Sequence, residues 1–318
     1  MTTRLRAFAV AGLLLAAACA GAGTTRPNPA SGPVTGPDHP VRIEARRVPL
    51  GVGGATLAPG VRYAGGLALY GAKLHGLSDL KLDGDRAWAV SDFGDLVRFT
   101  IRLDTSGRLV GATNAVSRAL LDADGLPLTP KRRADAEGLA RLDDGRLLVS
   151  FEGDDRIWAY GPDGDGPPTP LRRPDVPFPE NAGMEGLSVA PGGWLVLGES
   201  GGAWVCDAAA CRVLPAAPAP PDDGFRFTSA DRDSAGGWFV VERFYAPPLD
   251  LRVRVRRMAG DGALGPVLIA LRPPASVDNF EGLAVQATPH GARLYLLSDD
   301  NAFPLEKTLL LAFDVPNA

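Results

Sequence analysis

The sequence predicts an all-β protein, a β-propeller expected to carry six blades. Three observations predict it: one phrase recurs along the chain, each copy is built of short apolar runs around Gly/Asp turns, and amphipathic helical periodicity is nearly absent. The phrase is clearest as Glu137-Gly138-Leu139-Ala140, a turn at Asp143-Asp144-Gly145, the run Leu147 to Phe151, then Glu152. It returns as Glu185-Gly186-Leu187-Ser188, Pro191-Gly192-Gly193, Trp194 to Leu197 and Glu199. A third copy runs from Glu281-Gly282-Leu283-Ala284 through His290-Gly291 and Leu294 to Leu297 to Asp299. Two looser copies are Gly76-Leu77-Ser78 through Trp88 to Val90 and Asp92, and Ser229-Ala230-Asp231 through Trp238 to Val241 and Glu242. Copies begin about 45 to 60 residues apart, the period of propeller blades. Val41 to Tyr70 also holds strand-like stretches and is expected to supply the sixth blade. A pair of β-sandwiches is the alternative, but sandwiches do not repeat one phrase in this way. Residues 115–124 are the one modest helix candidate.

The chain's opening reads differently. Met-Thr-Thr-Arg-Leu-Arg is basic, the run Ala7 to Ala18 is apolar, and small residues lead to Cys19. This is the pattern of a secretory signal peptide, and the run is too short to span a bilayer. Ala16-Ala17-Ala18-Cys19 is similar to a lipobox, in which the cysteine is lipidated; ordinary cleavage at an Ala-x-Ala site is the alternative. Residues 19–40, rich in Gly, Pro, Ser, Thr and Ala, form a flexible tether, and 41–318 the propeller domain. The expected location is therefore periplasmic, with the membrane reached only through the N-terminal lipid. Three cysteines occur in all. Cys206 and Cys211 flank a small-residue turn, so an oxidising compartment favours a disulfide between them; two reduced thiols are the other possibility.

Charge excludes some partners. Without Arg4 and Arg6 the remaining 31 basic and 37 acidic residues leave a net charge of −6, and no basic stripe is visible, so nucleic acid is not expected. A monomer is the expected state.

The acids matter more by position than by number. In a blade the first strand follows the channel and the second returns antiparallel, so the start of one and the end of the other share a face. Glu137, Glu185, Asp231 and Glu281 stand at first-strand starts, where the loose first copy has His75. Asp92, Glu152, Glu199, Glu242 and Asp299 stand at second-strand ends. About nine carboxylates should then crowd one mouth. Like charges that close raise each other's pKa unless a hard, oxygen-loving cation such as Ca²⁺, or basic side chains, neutralise them. Arg243 and Lys307 are the basic candidates. Each acid alone is as well explained as a turn cap; the recurrence carries the argument.

Further phrases point to a family. Ser298-Asp299-Asp300-Asn301-Ala302-Phe303, Lys307 to Phe313, Glu242-Arg243-Phe244-Tyr245 and Ser91-Asp92-Phe93-Gly94, with the Glu-Gly-Leu repeats, resemble the phytase-like esterase family over roughly residues 65–315. The resemblance implies a propeller with clustered acids and phosphoester hydrolysis. It implies, by position, a site of Glu137, Glu185, Glu281, Asp299, Asp300 and Asn301; the first five are the expected ligands of the divalent cation, Ca²⁺ by preference, that the crowding of acids calls for. Glu137, Glu185, Glu281, Glu242, Arg243 and His75 become the catalytic candidates, and Arg243, Lys307 and Asn301 the substrate contacts. His75 departs from the acid found in other copies, and a hydrogen-bonded strand-end histidine explains it equally well.

Two competing motifs fail on context. Gly198-Glu199-Ser200-Gly201-Gly202 fits G-x-S-x-G but leads into another strand-like run rather than a helix. Pro289-His290-Gly291-Ala292-Arg293 lacks the flanking residues of a histidine acid phosphatase and reads as a turn. His39 lies in the tether, so a serine triad has no base except His75. Two functions remain: a metal-assisted phosphomono- or diesterase acting on a small phosphorylated substrate, or a non-catalytic, lipid-tethered module binding an envelope ligand around structural metal.

Overall fold

The computed structural model describes residues 38–218, 224–247 and 250–317. The expected signal peptide, Cys19 and all of the expected tether but 38–40 lie outside the described residues. Among those described, no helix is long and apolar enough to cross a membrane.

Five antiparallel sheets are arranged as propeller blades, and each inner strand packs against the inner strands of the sheets before and after it, closing a ring. The inner strands are Leu77–Asp83, Ala136–Arg141, Met184–Ala190, Arg226–Arg232 and Asn279–Thr288, in blades I to V. Both faces of every blade are covered by neighbours, which is why the central strands read as unbroken apolar runs rather than alternating ones. Five apolar clusters fill the five seams. In blade II, Leu147, Val149 and Phe151 face blade I while Leu148 faces blade III. In blade III, Trp194 and Val196 face blade II while Leu195 and Leu197 face blade IV.

The expected sixth blade is absent. The strands of the Val41–Tyr70 region are shared among three sheets. His39–Val41 lies on the outer edge of blade I, Ala55–Leu57 on that of blade IV, and Glu44–Arg47 on Arg62–Tyr70 in blade V. Arg62–Tyr70 itself pairs with Thr308–Pro316, Leu310 opposite Leu67, so the last blade is completed by a strand from the start of the domain. The short edge strands cover exposed hydrogen-bonding rows that would otherwise invite pairing with another chain. The helix expected at 115–124 is also absent: Leu109–Ala119 is the fourth strand of blade I, and the α-helix of the described residues is the single turn Lys131–Ala134.

Every inner strand carries a β-bulge at the same level. Register slips between Leu77 and Asp79, across 137–138, between Met184 and Gly186, Phe227 and Ser229, and Phe280 and Gly282. The inserted residues are Ser78, Glu137, Glu185, Thr228 and Glu281. Bulges re-aim side chains, and here they turn three glutamates toward one end of the channel. The glycines that follow are fixed by crowding. A Cβ on Gly138 would lie 2.7 Å from the carbonyl oxygen of Glu185 in the next blade, and one on Gly282 would lie 3.1 Å from the amide nitrogen of Leu80.

Candidate functional site

The bulges give the alignment that the acids alone did not. The residues paired with the inner strand just before each bulge are Ser91, Phe151, Gly198, Glu242 and Ser298. The next position in each blade is therefore Asp92, Glu152, Glu199, Arg243 and Asp299. Together with the five bulge residues these make ten equivalent positions, and seven are acids: Glu137, Glu185, Glu281, Asp92, Glu152, Glu199 and Asp299. All seven line one cavity of about 270 Å³, joined by Asp135, Lys131, Arg243, Asn181 and Asn301. Eight carboxylates thus face two cationic side chains.

The two cations are engaged by those acids. Arg243 donates from Nη1 to Glu281 Oε1 at 2.6 Å and from Nη2 to Glu199 Oε1 at 3.2 Å, and also contacts the Asn279 amide oxygen. Lys131 Nζ lies 2.5 Å from Asp135 Oδ1 and 3.6 Å from Asp92 Oδ2. Asp92 also accepts from Ser78 Oγ at 2.7 Å, Glu152 from the Gly183 amide at 3.1 Å, and Asp299 from the Asn301 amide at 2.8 Å. The carboxylates of Glu137 and Glu185, both buried, receive no hydrogen bond from the described residues.

Burial and mutual repulsion set the protonation of this cluster. Burial first, then Glu185, Asp92 and Glu281, holds Glu137 well above the usual carboxylate range. Burial, then Glu281 and Glu199, does the same to Glu185. Glu281 is pushed up to about 7 by burial, with Arg243 opposing, and Asp299 up to about 9 by burial and the charge of Glu281. Without a counter-charge, this mouth holds protons at neutral pH.

Several expected site residues lie elsewhere. Glu242 is fully buried and forms a two-pronged pair with Arg254 at 2.8 Å to each oxygen; strand alternation turns it away from the mouth and turns Arg243 toward it. Asp231 sits three residues beyond the Thr228 bulge, deeper in the channel, where it accepts from the Val285 amide at 2.8 Å. Asp300 is outside the cavity lining, held by His75 Nδ1 at 2.6 Å and the amides of Gly76 and Ala302 at 3.0 and 3.1 Å. His75, half exposed, is thus a partner of Asp300 and not the counterpart of the glutamates, a place taken by Ser78. Lys307 is exposed and does not line the cavity; Lys131 does. Ser200 lies in a turn that leads into the strand Ala203–Cys206, its hydroxyl 3.3 Å from Arg226, with no histidine partner. The sequence reading missed Asp135, Lys131 and Asn181. Asp135, two residues ahead of Glu137, was the visible signal.

The donor set fits a hard cation. Asp92, Asp135 and Glu137 offer carboxylate oxygens all within 4.8 Å of one another, with further carboxylates beside them and no thiol or imidazole.

A family model described as "Phytase-like: Esterase-like activity of phytase" matches residues 72–302, most of the chain and the whole of the acidic mouth. The chain belongs to this family. No curated protein matches this phytase-like chain significantly. Solved structures match loosely. The Malassezia sympodialis allergen Mala s 1 shares 15% identity at a TM-score of 0.43, over 79% of this chain and 87% of that one. Inactive H270A virginiamycin B lyase from Staphylococcus aureus shares 9% at 0.42, over 86% and 99%. The WD40 β-propeller domain of Doa1 shares 12% at 0.38, over 81% and 98%. At these scores the likenesses carry no argument about this phytase-like chain's site. Cys206 and Cys211 form a disulfide in blade III.

Proposed function

We propose that the acidic mouth is the site of a cation-assisted phosphoester hydrolase, acting on a small phosphomono- or diester. The observation that supports it most is the acid at seven of ten equivalent positions around one cavity, in a chain whose family is described by phytase and esterase activity. Asp92, Asp135 and Glu137 would hold a divalent cation, Ca²⁺ by the hardness of the donors, with Glu185, Glu281 and Asp299 around it. Such a cation supplies charge neutralisation and Lewis acidity toward a phosphoryl oxygen. The chain's own residues do the rest. Arg243 and Lys131 orient the anionic group, and Glu185 and Glu281 exchange protons with water or the departing alcohol. Asn181 would offer its amide hydrogens at the cavity wall, beside Asn301, whose Nδ2 donates to Glu306 at 2.7 Å.

The test uses protein lacking the leader, with p-nitrophenyl phosphate and its bis-ester as substrates. The expected result is turnover that needs added Ca²⁺ and falls by about 10²-fold or more in Glu137→Gln and Glu185→Gln. No turnover of either ester, at any Ca²⁺ level, would exclude it.

One observation favours a second reading, a non-catalytic binding module of the cell envelope. Arg243 and Lys131 are both paired with the cavity's own acids, so an anionic ligand gains no unpaired positive side chain there. Cation binding with unchanged ligands recovered after incubation would support it. On either reading the protein is taken to be exported to the periplasm as a monomer, anchored through Cys19. The disulfide supports an oxidising compartment.

A further inference from the structure

Below the mouth the channel wall carries a second, buried charged group, Asp79 with Lys81, that no expected role accounts for. Asp79 is fully buried on the inner strand of blade I, one residue past the Ser78 bulge. Its equivalents in the other blades are Gly138, Gly186, Ser229 and Gly282, so this level of the channel holds one long side chain among small ones. Asp79 Oδ2 accepts from the Leu139 amide of blade II at 2.8 Å and from Lys81 Nζ at 2.9 Å. Its Oδ1 accepts from Ser229 Oγ of blade IV at 2.8 Å, the Leu283 amide of blade V at 3.2 Å, and the Leu80 amide at 2.7 Å. Lys81 in turn donates to the carbonyl oxygen of Leu283 at 2.9 Å. One carboxylate therefore ties the inner strands of four blades together. Blade III joins through Ser188 Oγ, 3.4 Å from Asp231.

The placement of these bonds has a consequence for the mouth. An inner strand is an edge strand on its channel side, so its channel-facing amides lack a sheet partner and must find another. The amides of neighbouring blades that Asp79 satisfies, Leu139 and Leu283, lie two residues past Glu137 and Glu281. Those are two of the three bulge glutamates, on opposite sides of blade I in the ring. The anchor thus holds the backbone just past two acids of the cavity, Glu137 of the close Asp92–Asp135–Glu137 group and Glu281 of the same lining.

We infer that Asp79 and Lys81 are positioning residues: they lock the bulges that carry Glu137 and Glu281 at a fixed spacing, and thereby set the cation affinity of the mouth. This rests on the mouth being a cation site. Groups that orient ligands from behind typically govern affinity by about 10- to 100-fold.

The experiment is Ca²⁺ titration calorimetry on the leaderless protein, with thermal unfolding in EDTA run alongside. Asp79→Asn alone leaves a buried ammonium and is expected to fold poorly, so the decisive variant is the double substitution Asp79→Asn with Lys81→Met, which removes both charges. It is expected to unfold cooperatively yet bind Ca²⁺ about tenfold or more weakly. A control, Leu148→Ala in the seam of blades II and III, is expected to lose thermal stability and keep its Ca²⁺ affinity. Wild-type affinity in the double variant would overturn the inference while leaving the functional reading intact. Affinity that falls equally in Leu148→Ala would also overturn it, because stability alone would then explain the loss. No binding by the wild type would overturn both.

Discussion

The channel holds two sets of buried acids, at the mouth and at the anchor, and they are treated in opposite ways. Asp79 is as buried as any residue in the chain, yet its two oxygens receive three backbone amides, a serine hydroxyl and a lysine. Burial pushes it up only to about 6, because Lys81 and those amides favour the charged form. Glu137 and Glu185 have the same chemistry and nearly the same burial, but no donor among the described residues, and burial with mutual repulsion holds both well above the usual range. A satisfied buried acid is part of the scaffold. Two buried acids left without a donor, at the wall of a cavity, are what the proposed cation site would need.

That contrast can be broken by substitution. Asp79→Asn leaves Lys81 without its counter-charge and is expected to cost about 3–5 kcal/mol in urea unfolding. Glu137→Gln, made in the metal-free protein at pH 8, is expected to be neutral or stabilising, since it replaces a buried acid whose charged form burial and its neighbours disfavour. An equal loss in both variants would erase the distinction between anchor and mouth. Gly138→Ala sits between the two levels. Its methyl would press on the Glu185 carbonyl at 2.7 Å, and a loss of about 1–3 kcal/mol is expected by the same unfolding measurement.

pH sharpens the contrast further. A carboxylate whose folded pKa lies above its unfolded value binds extra protons in the folded state, so stability falls as pH rises between the two values. For the mouth that window opens near the ordinary carboxylate value of about 4. It extends through Glu281 at about 7 to Asp299 at about 9. In EDTA the melting temperature is therefore expected to decline steadily from pH 5 to pH 9. A smaller change than at Asp79 is expected at the disulfide. Cys206 and Cys211 are 5 residues apart, and loss of so short a loop should cost at most about 2 kcal/mol on reduction.

The sequence showed the repeat because its signal is a physical pair: a bulged glutamate followed by a glycine that the next blade crowds. Where the bulge carries Ser78 or Thr228 instead, the acid used to align the copies pointed to the wrong neighbour. His75 and Asp231 were given the bulge place, and Glu242 stood in for Arg243 by one residue, which in a strand reverses the face. The blade count erred for a different reason. The strands between Val41 and Tyr70 are real, but each completes a distant sheet, and pairing across the chain leaves no local trace. Asp79 was invisible as an anchor because its partners come from three other blades. Within its own strand, Leu-Ser-Asp-Leu-Lys-Leu-Asp, it is one of four polar residues among three leucines and nothing local sets it apart.

The central claim is that the mouth is built to take up a cation. The most direct measurement is thermal unfolding of the leaderless, metal-free protein at pH 8, with and without millimolar Ca²⁺, beside Glu137→Gln. The account predicts a clear rise in melting temperature for the wild type and a much smaller one for the variant. An unchanged melting temperature in the wild type, or an equal rise in both proteins, would contradict it.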